Sequence, residues 1–338
     1  MDRVEAVKSI AAVVLSVLLL VTGCSSDQGS DAASNWTDED VTFESDGLTM
    51  HGTYRYRAEG QPAPAALLIS ESGGTDRNGD NVVAGPIGNM RMLAELLSDR
   101  GVASLRYDKV GTGRTGLGPF KDRPAEVVSS VYTAGAQAAV RFLAGRPATD
   151  PEKISVYALG EGTIHAMALA GDTSPGAPKV HSLGLFQPLP GRYLDIITNR
   201  VKADGSPETV ATWQAAVEEI RTRGTVSDKL PDGLNSIVNA GNIKAVVEAD
   251  KVDPLALAAA IPPGTPVLVT CSDSDSQARC DAVAPLVDAL AQTDVTLVEL
   301  EGVNHVLRDD PTDNIANYAK QDPLSGQLVT ALDDFVKK

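Results

Sequence analysis

Residues Lys153 to Ala166 read KISVYALGEGTIHA. The segment ISVYA is a short, continuous apolar run of the kind that forms a strand covered on both faces. It passes through Gly160 and Gly162 into TIHAMALA, an apolar stretch suited to a buried helix. A strand, a sharp turn and a helix in quick succession place residue 160 at the tip of the turn. Glycine accepts the left-handed backbone that such turns demand. It offers no side-chain atom, so this tip presents no hydroxyl.

Outward from this stretch, the chain alternates. VTFESDGLTMHGTYRY (Val41 to Tyr56) holds two β-rich segments around Asp46-Gly47, a hairpin signature. ALLIS (Ala66 to Ser70) is a second buried strand, NMRMLAELLSDRG a helix ending on Gly101, and VASLRYD a third strand. From Val128, residues Val131, Tyr132, Gly135, Ala138, Ala139 and Phe142 fall on one helical stripe that Gly145 and Pro147 end. HSLGLF, PVLVTC and VTLVEL supply later strands, and LSGQLVTALDDFVKK a closing helix. This order implies an α/β fold, a mostly parallel sheet with helices on both faces, over residues 41–338. Between about residues 189 and 262 the pattern is helical throughout, which predicts a helical lid inserted beside the carboxyl ends of the strands.

The formal charge of −16 repels phosphate backbones, so nucleic acid is not an expected partner. Residues 1–23 carry an apolar run, Ile10 to Val21, too short to cross a bilayer and similar to the core of a signal peptide. It ends in VTGC, which resembles a bacterial lipobox: cleavage before Cys24 and acylation of that cysteine would anchor the protein in the cell membrane, outside the cytoplasm. An uncleaved anchor with a chance cysteine is the alternative. Residues 24–40 are polar, small and acidic, and are expected to form a flexible tether. Asn35 begins a sequon taken as chance. Cys271 and Cys280 then remain in an oxidising compartment, where pairing is expected, with two buried free thiols as the alternative.

Two further motifs argue for less than they first suggest. GTGRTG (Gly111 to Gly116) fits a dinucleotide fingerprint, but no helix can open before Pro124, so no amides face a pyrophosphate. DRNGDN (Asp76 to Asn81) resembles a calcium loop with its glycine misplaced and Ile87 at the twelfth position, and is read as a turn. Neither a cofactor nor a metal is therefore expected.

Taken in order, LLISESGGTDRNGDN, LRYDKVGTGRTG, ISVYALGEGTIHA, LFQPLPGRYLDIITNRV, DPLALAAAIPPGTPVLVTCSDSDSQ and LEGVNHVL resemble the α/β-hydrolase superfamily, in particular its dienelactone-hydrolase-like and prolyl-oligopeptidase-like esterases. The resemblance implies a catalytic histidine at His305 in the NH turn. It implies an acid at Asp275, with Asp273 as the alternative, and a nucleophile position that falls on Gly160. It implies oxyanion donors at the amide of Glu161 and near Ser72 or Gly73, with Glu71 standing where the family has a glycine. A paired Cys271 and Cys280 would stiffen the loop around Asp275. Thr163, His165, His51 and His181 are read as structural.

Two functions follow from these residues. One is a membrane-anchored hydrolase-like protein without serine chemistry that binds a small acyl or ester-like ligand, or a partner, in its lidded cleft. The other is an active enzyme using His305 and Asp275 on water or a substrate proton, or recruiting Ser72. A purely structural role in the envelope is a third.

Overall fold

The computed structural model describes residues 35–227, 230 and 233–338. Met1–Ser34, with Cys24 and the expected signal peptide, lie outside the described residues. The chain opens with the antiparallel strands β1 (Trp36–Ser45) and β2 (Leu48–Arg57), turning at Asp46 and Gly47, both at positive φ. The start of β1 corrects the expected tether: residues 36–40 belong to the sheet. Their acidic side chains meet cations, with Asp38 on Arg55 and Arg106, and Asp40 on Arg77 and Arg114. Acidic composition alone could not reveal those partners.

Strand β3 (Ala63–Ile69) leads to α1 (Asn89–Ser98), β4 (Ala103–Tyr107), α2 (Ser129–Ala144), β5 (Thr149–Leu159), α3 (Gly162–Ala170) and β6 (Ser182–Phe186). A helical insertion follows: α4 (Tyr193–Asp204), α5 (Pro207–Arg223), α6 (Leu234–Ile237), α7 (Ile243–Lys251) and α8 (Pro254–Ala259). The chain finishes with β7 (Pro266–Ser272), α9 (Cys280–Ala289), β8 (Asp294–Leu300) and α10 (Gly326–Phe335). The eight strands lie in the order β1-β2-β4-β3-β5-β6-β7-β8, parallel from β4 onward.

Side chains of β3 alternate between two cores, as the strand period requires. Ala65, Leu67 and Ile69 join a core with α2, α3, α8 and α9, while Ala66 and Leu68 pack with α1 and α10. The insertion has its own apolar core around Leu194, Trp213 and Val238. Asp250 ties it together, accepting from Arg192, Arg221 and the amide of Leu194. Cys271 and Cys280 form a disulfide joining the end of β7 to the start of α9.

One consequence of register sets up everything downstream. Ile69 of β3 pairs with Ala158 of β5, so the chain just beyond each strand, Glu71 and Gly160, meets at the carboxyl edge of the sheet.

Candidate active site

The turn out of β5 holds Gly160 at φ 54°, a left-handed conformation, and the following residues enter α3 directly. A Cβ built on Gly160 would stand 1.4 Å from Oε2 of Glu71. The side chain of Glu71 thus fills the space that a side chain on residue 160 would need.

Glu71 is fixed there from several sides. Its Oε2 pairs with Nε2 of His305 at 2.8 Å, and Nδ1 of His305 pairs with Oδ2 of Asp275 at 2.7 Å. Its Oε1 accepts from the backbone N–H of Ser72 at 2.6 Å and, at 3.4 Å, from that of Glu161. Lys109, just beyond β4, donates its ammonium to the carbonyls of Ser70 and Glu71 and pins the backbone of that loop. The rest of the loop is clamped by Arg77, whose guanidinium and amide both bond the buried carboxylate of Asp108.

That clamp explains the two motifs of uncertain meaning. Asp76 accepts from the amides of Asn78 and Asp80, so DRNGDN is a turn. GTGRTG curls over Asp108, which accepts from the amide of Arg114, and a Cβ on Gly113 would meet that carboxylate at 2.3 Å. Among the described residues no group of three or more His, Cys, Asp or Glu is arranged to hold a metal ion.

The structure brings Gly160, His305, Asp275, Glu161 and Ser72 together. Asp275, fully buried inside the loop closed by the disulfide, is the partner of His305; Asp273 instead accepts from the amide of Gly302 at the surface. Gly73 makes no hydrogen bond to the Glu71 carboxylate, so Ser72 is the loop donor. Thr163 lies in α3 and bonds back to the carbonyl of Gly160. His165 is buried against Thr133, its pKa pushed down to about 3 by burial and then by Lys109. His51 lies in β2, and His181 precedes β6 rather than lying within it.

Two features escaped the sequence. The inward swing of Glu71 follows from the missing side chain at Gly160, which only the strand register reveals. The buried ammonium of Lys109 had no signal in the sequence, where it follows Asp108 at the end of a strand that also carries Ser104 and Arg106.

Charge settles the protonation of the cluster. Burial favours the neutral form of Glu71, but the hydrogen bond and charge of His305 prevail and lower its pKa from the ordinary 4.5 to about 2. Burial likewise disfavours imidazolium at His305, but Asp275 and Glu71 on its two nitrogens together raise its pKa from 6.5 to about 10. At neutral pH Glu71 is a carboxylate and His305 an imidazolium.

Above it lies a cavity of about 610 Å³, floored by Glu71, Ser72 and Glu161 and roofed by aliphatic side chains of the insertion, Ile196, Ile197 and Val201 among them. Its size suits a small organic ligand.

Sheet order, elbow and histidine–acid loops together define the α/β-hydrolase fold. Solved structures of that fold are similar to this chain: the esterase Pf2001 of Pyrococcus furiosus, at 14% identity over 89% of this chain and 92% of that one, with a TM-score of 0.54; the α/β hydrolase GrgF of Penicillium sp. sh18, at 15% identity over 89% and 98%, with a TM-score of 0.57; and acetyl xylan esterase 1 of Thermoanaerobacterium sp. JW/SL YS485, at 13% identity over 91% and 85%, with a TM-score of 0.56. No family model matches the sequence, and no curated protein matches it. Identities this low establish the fold and leave the reaction to the residues themselves.

The geometry makes Glu71 and residue 160 mutually exclusive. Gly160→Ser alone should be destabilised twice over, by about 1–2 kcal/mol for a left-handed non-glycine residue and by displacement of Glu71. In a Glu71→Gly background only the first cost remains, so a double-mutant cycle in urea should show a coupling of at least about 1 kcal/mol; simple additivity would contradict the packing described.

The ion pair also shapes stability against pH. The depressed Glu71 stabilises fully above its free value of 4.5, and that contribution is lost as pH falls through about 2. The raised His305 stabilises fully below 6.5, and its contribution is lost as pH rises through about 10. Both contributions are complete only between those free values. Imidazole NMR should find His305 protonated well above pH 7, with its pKa lower in Glu71→Gln; an unchanged titration would show that Glu71 is not its partner.

Proposed function

We propose that this is a lipid-anchored protein of a bacterial cell envelope that performs no serine-dependent acyl transfer and holds a small, largely apolar molecule in the cavity beneath its helical insertion. The observation that carries this reading is the place of the Glu71 carboxylate, bonded at once to His305 and to the two amides of Ser72 and Glu161. Acyl transfer in this fold needs an oxygen nucleophile at the elbow, a neutral histidine to take its proton and free donors for the developing oxyanion. Here the elbow is glycine, the histidine already carries a proton, and an anion already sits on the donors.

The same facts count against the alternative of an active enzyme. A protonated His305 accepts no proton from water or substrate. Ser72 is not its partner, because both ring nitrogens are engaged by Asp275 and Glu71.

Support for the anchor comes from the VTGC site at Cys24 and from the disulfide, a bond typical of oxidising compartments. No helix among the described residues is long and apolar enough to cross a membrane.

Treatment of the full chain with a fluorophosphonate probe should label no serine, whereas Glu71→Gly combined with Gly160→Ser, which frees the donors and restores a hydroxyl, should label at residue 160. Stoichiometric labelling of the native chain would overturn the reading. Separately, Cys24→Ser should abolish incorporation of alkynyl palmitate and release the protein from the membrane fraction; continued labelling and retention would refute the anchor.

A further inference from the structure

The proton-holding cluster beneath the cavity contains three carboxyl groups, Glu71, Asp275 and Glu161, and two cationic groups, His305 and Lys109. Asp76, which also acts on Lys109, adds to the carboxylate side. The first two carboxyls are fully engaged: Glu71 by His305 and two amides, Asp275 by His305 and the amide of Gln277. The third is different. The side chain of Glu161 accepts no hydrogen bond from any described residue, yet it lines the cavity floor. Burial raises its pKa, Lys109 opposes that, and Glu71 adds to it. The nearest ammonium, Lys109, is directed at the carbonyls of Ser70 and Glu71. The Tyr193 hydroxyl on α4 feels both Glu161 and Arg200, and Arg200, itself exposed, also lines the cavity. On the sheet side, the Tyr132 hydroxyl on α2 also feels Glu161.

We propose that the cavity selects an amphiphile with a cationic amine head, the ammonium seated on Glu161 and the hydrocarbon chain against the aliphatic roof of the insertion. This rests on the ligand-binding reading above and revises the head group expected from the sequence, an acyl or ester function. An ester or carboxylate head needs the amides of Ser72 and Glu161, and Glu71 has taken them. A carboxylate head would also add a negative charge beside two others. An ammonium instead supplies the missing positive charge and donates to the one unengaged carboxyl. Such charge-assisted hydrogen bonds are shorter and about twice as strong as neutral ones.

The experiment is isothermal titration calorimetry at neutral pH on the full chain carrying Cys24→Ser, with decylamine, decanol, methyl decanoate and decanoate as probes. Because the four share one chain length, differences report the head group. Decylamine should bind about tenfold tighter than decanol or methyl decanoate, with decanoate weakest, as expected for one hydrogen bond to a charged group. In the near-isosteric Glu161→Gln, whose folding is checked by its melting curve, decylamine should lose about that tenfold advantage while decanol changes little. If decanoate or methyl decanoate binds as well as the amine, or if Glu161→Gln leaves the amine unaffected, the head-group inference fails and the ligand-binding reading stands. If none of the four binds, both fail. The ranking on the unsubstituted cavity decides the matter even where the variant does not fold.

Discussion

The site depends on one steric exchange across the carboxyl edge of the sheet. Parallel pairing of β3 with β5 brings residues 71 and 160 face to face, and the space between them admits one side chain only. Glycine at 160 leaves that space open, and the carboxylate of Glu71 enters it. From this single substitution of occupant follow the pairing of His305, the filling of the two amides and the charge of the floor. A buried carboxylate is tolerable only when paired and hydrogen-bonded. Glu71 meets that condition because the histidine and both amides are already aimed at the point it reaches.

Most of the fold could be read from the chain. A hairpin signature, buried apolar runs, a helical stripe and a long strandless segment yielded the sheet, its flanking helices and the insertion. Gly160 was legible at the tip of its turn from its local setting, whereas His305 was singled out through the family resemblance. Asp275 was separable from Asp273 only in three dimensions, since an acidic turn such as SDSDS looks alike at each position, and burial distinguishes them. The start of the folded chain was misplaced for a related reason: Asp38 and Asp40 read as solvating residues until the arginines of other strands are brought to them. The direction of Glu71 was illegible because it depends on a side chain that is missing at Gly160, far along the chain, which only the fold brings opposite it.

Electrostatics separates this cluster from one poised for proton transfer. A histidine with a carboxylate on one nitrogen and a free lone pair on the other can act as a base near neutral pH. Placing a second carboxylate on the free nitrogen converts it into a cation stabilised from both sides. Asp275, His305 and the amides of Ser72 and Glu161 converge on one point, and what occupies it is a side chain of the protein itself.

A working elbow is costly for a fold: it holds a non-glycine residue in a strained backbone, leaves two inward amides without a permanent acceptor and keeps a histidine half-satisfied. In this chain each cost is cancelled, the strain by Gly160, the amides by Oε1 of Glu71 and the imidazole by its Oε2. The donors and the histidine are thus matched by one side chain of the protein itself. The remaining unengaged group, Glu161, faces the cavity, so the site's unsatisfied chemistry lies on the cavity wall rather than at the elbow.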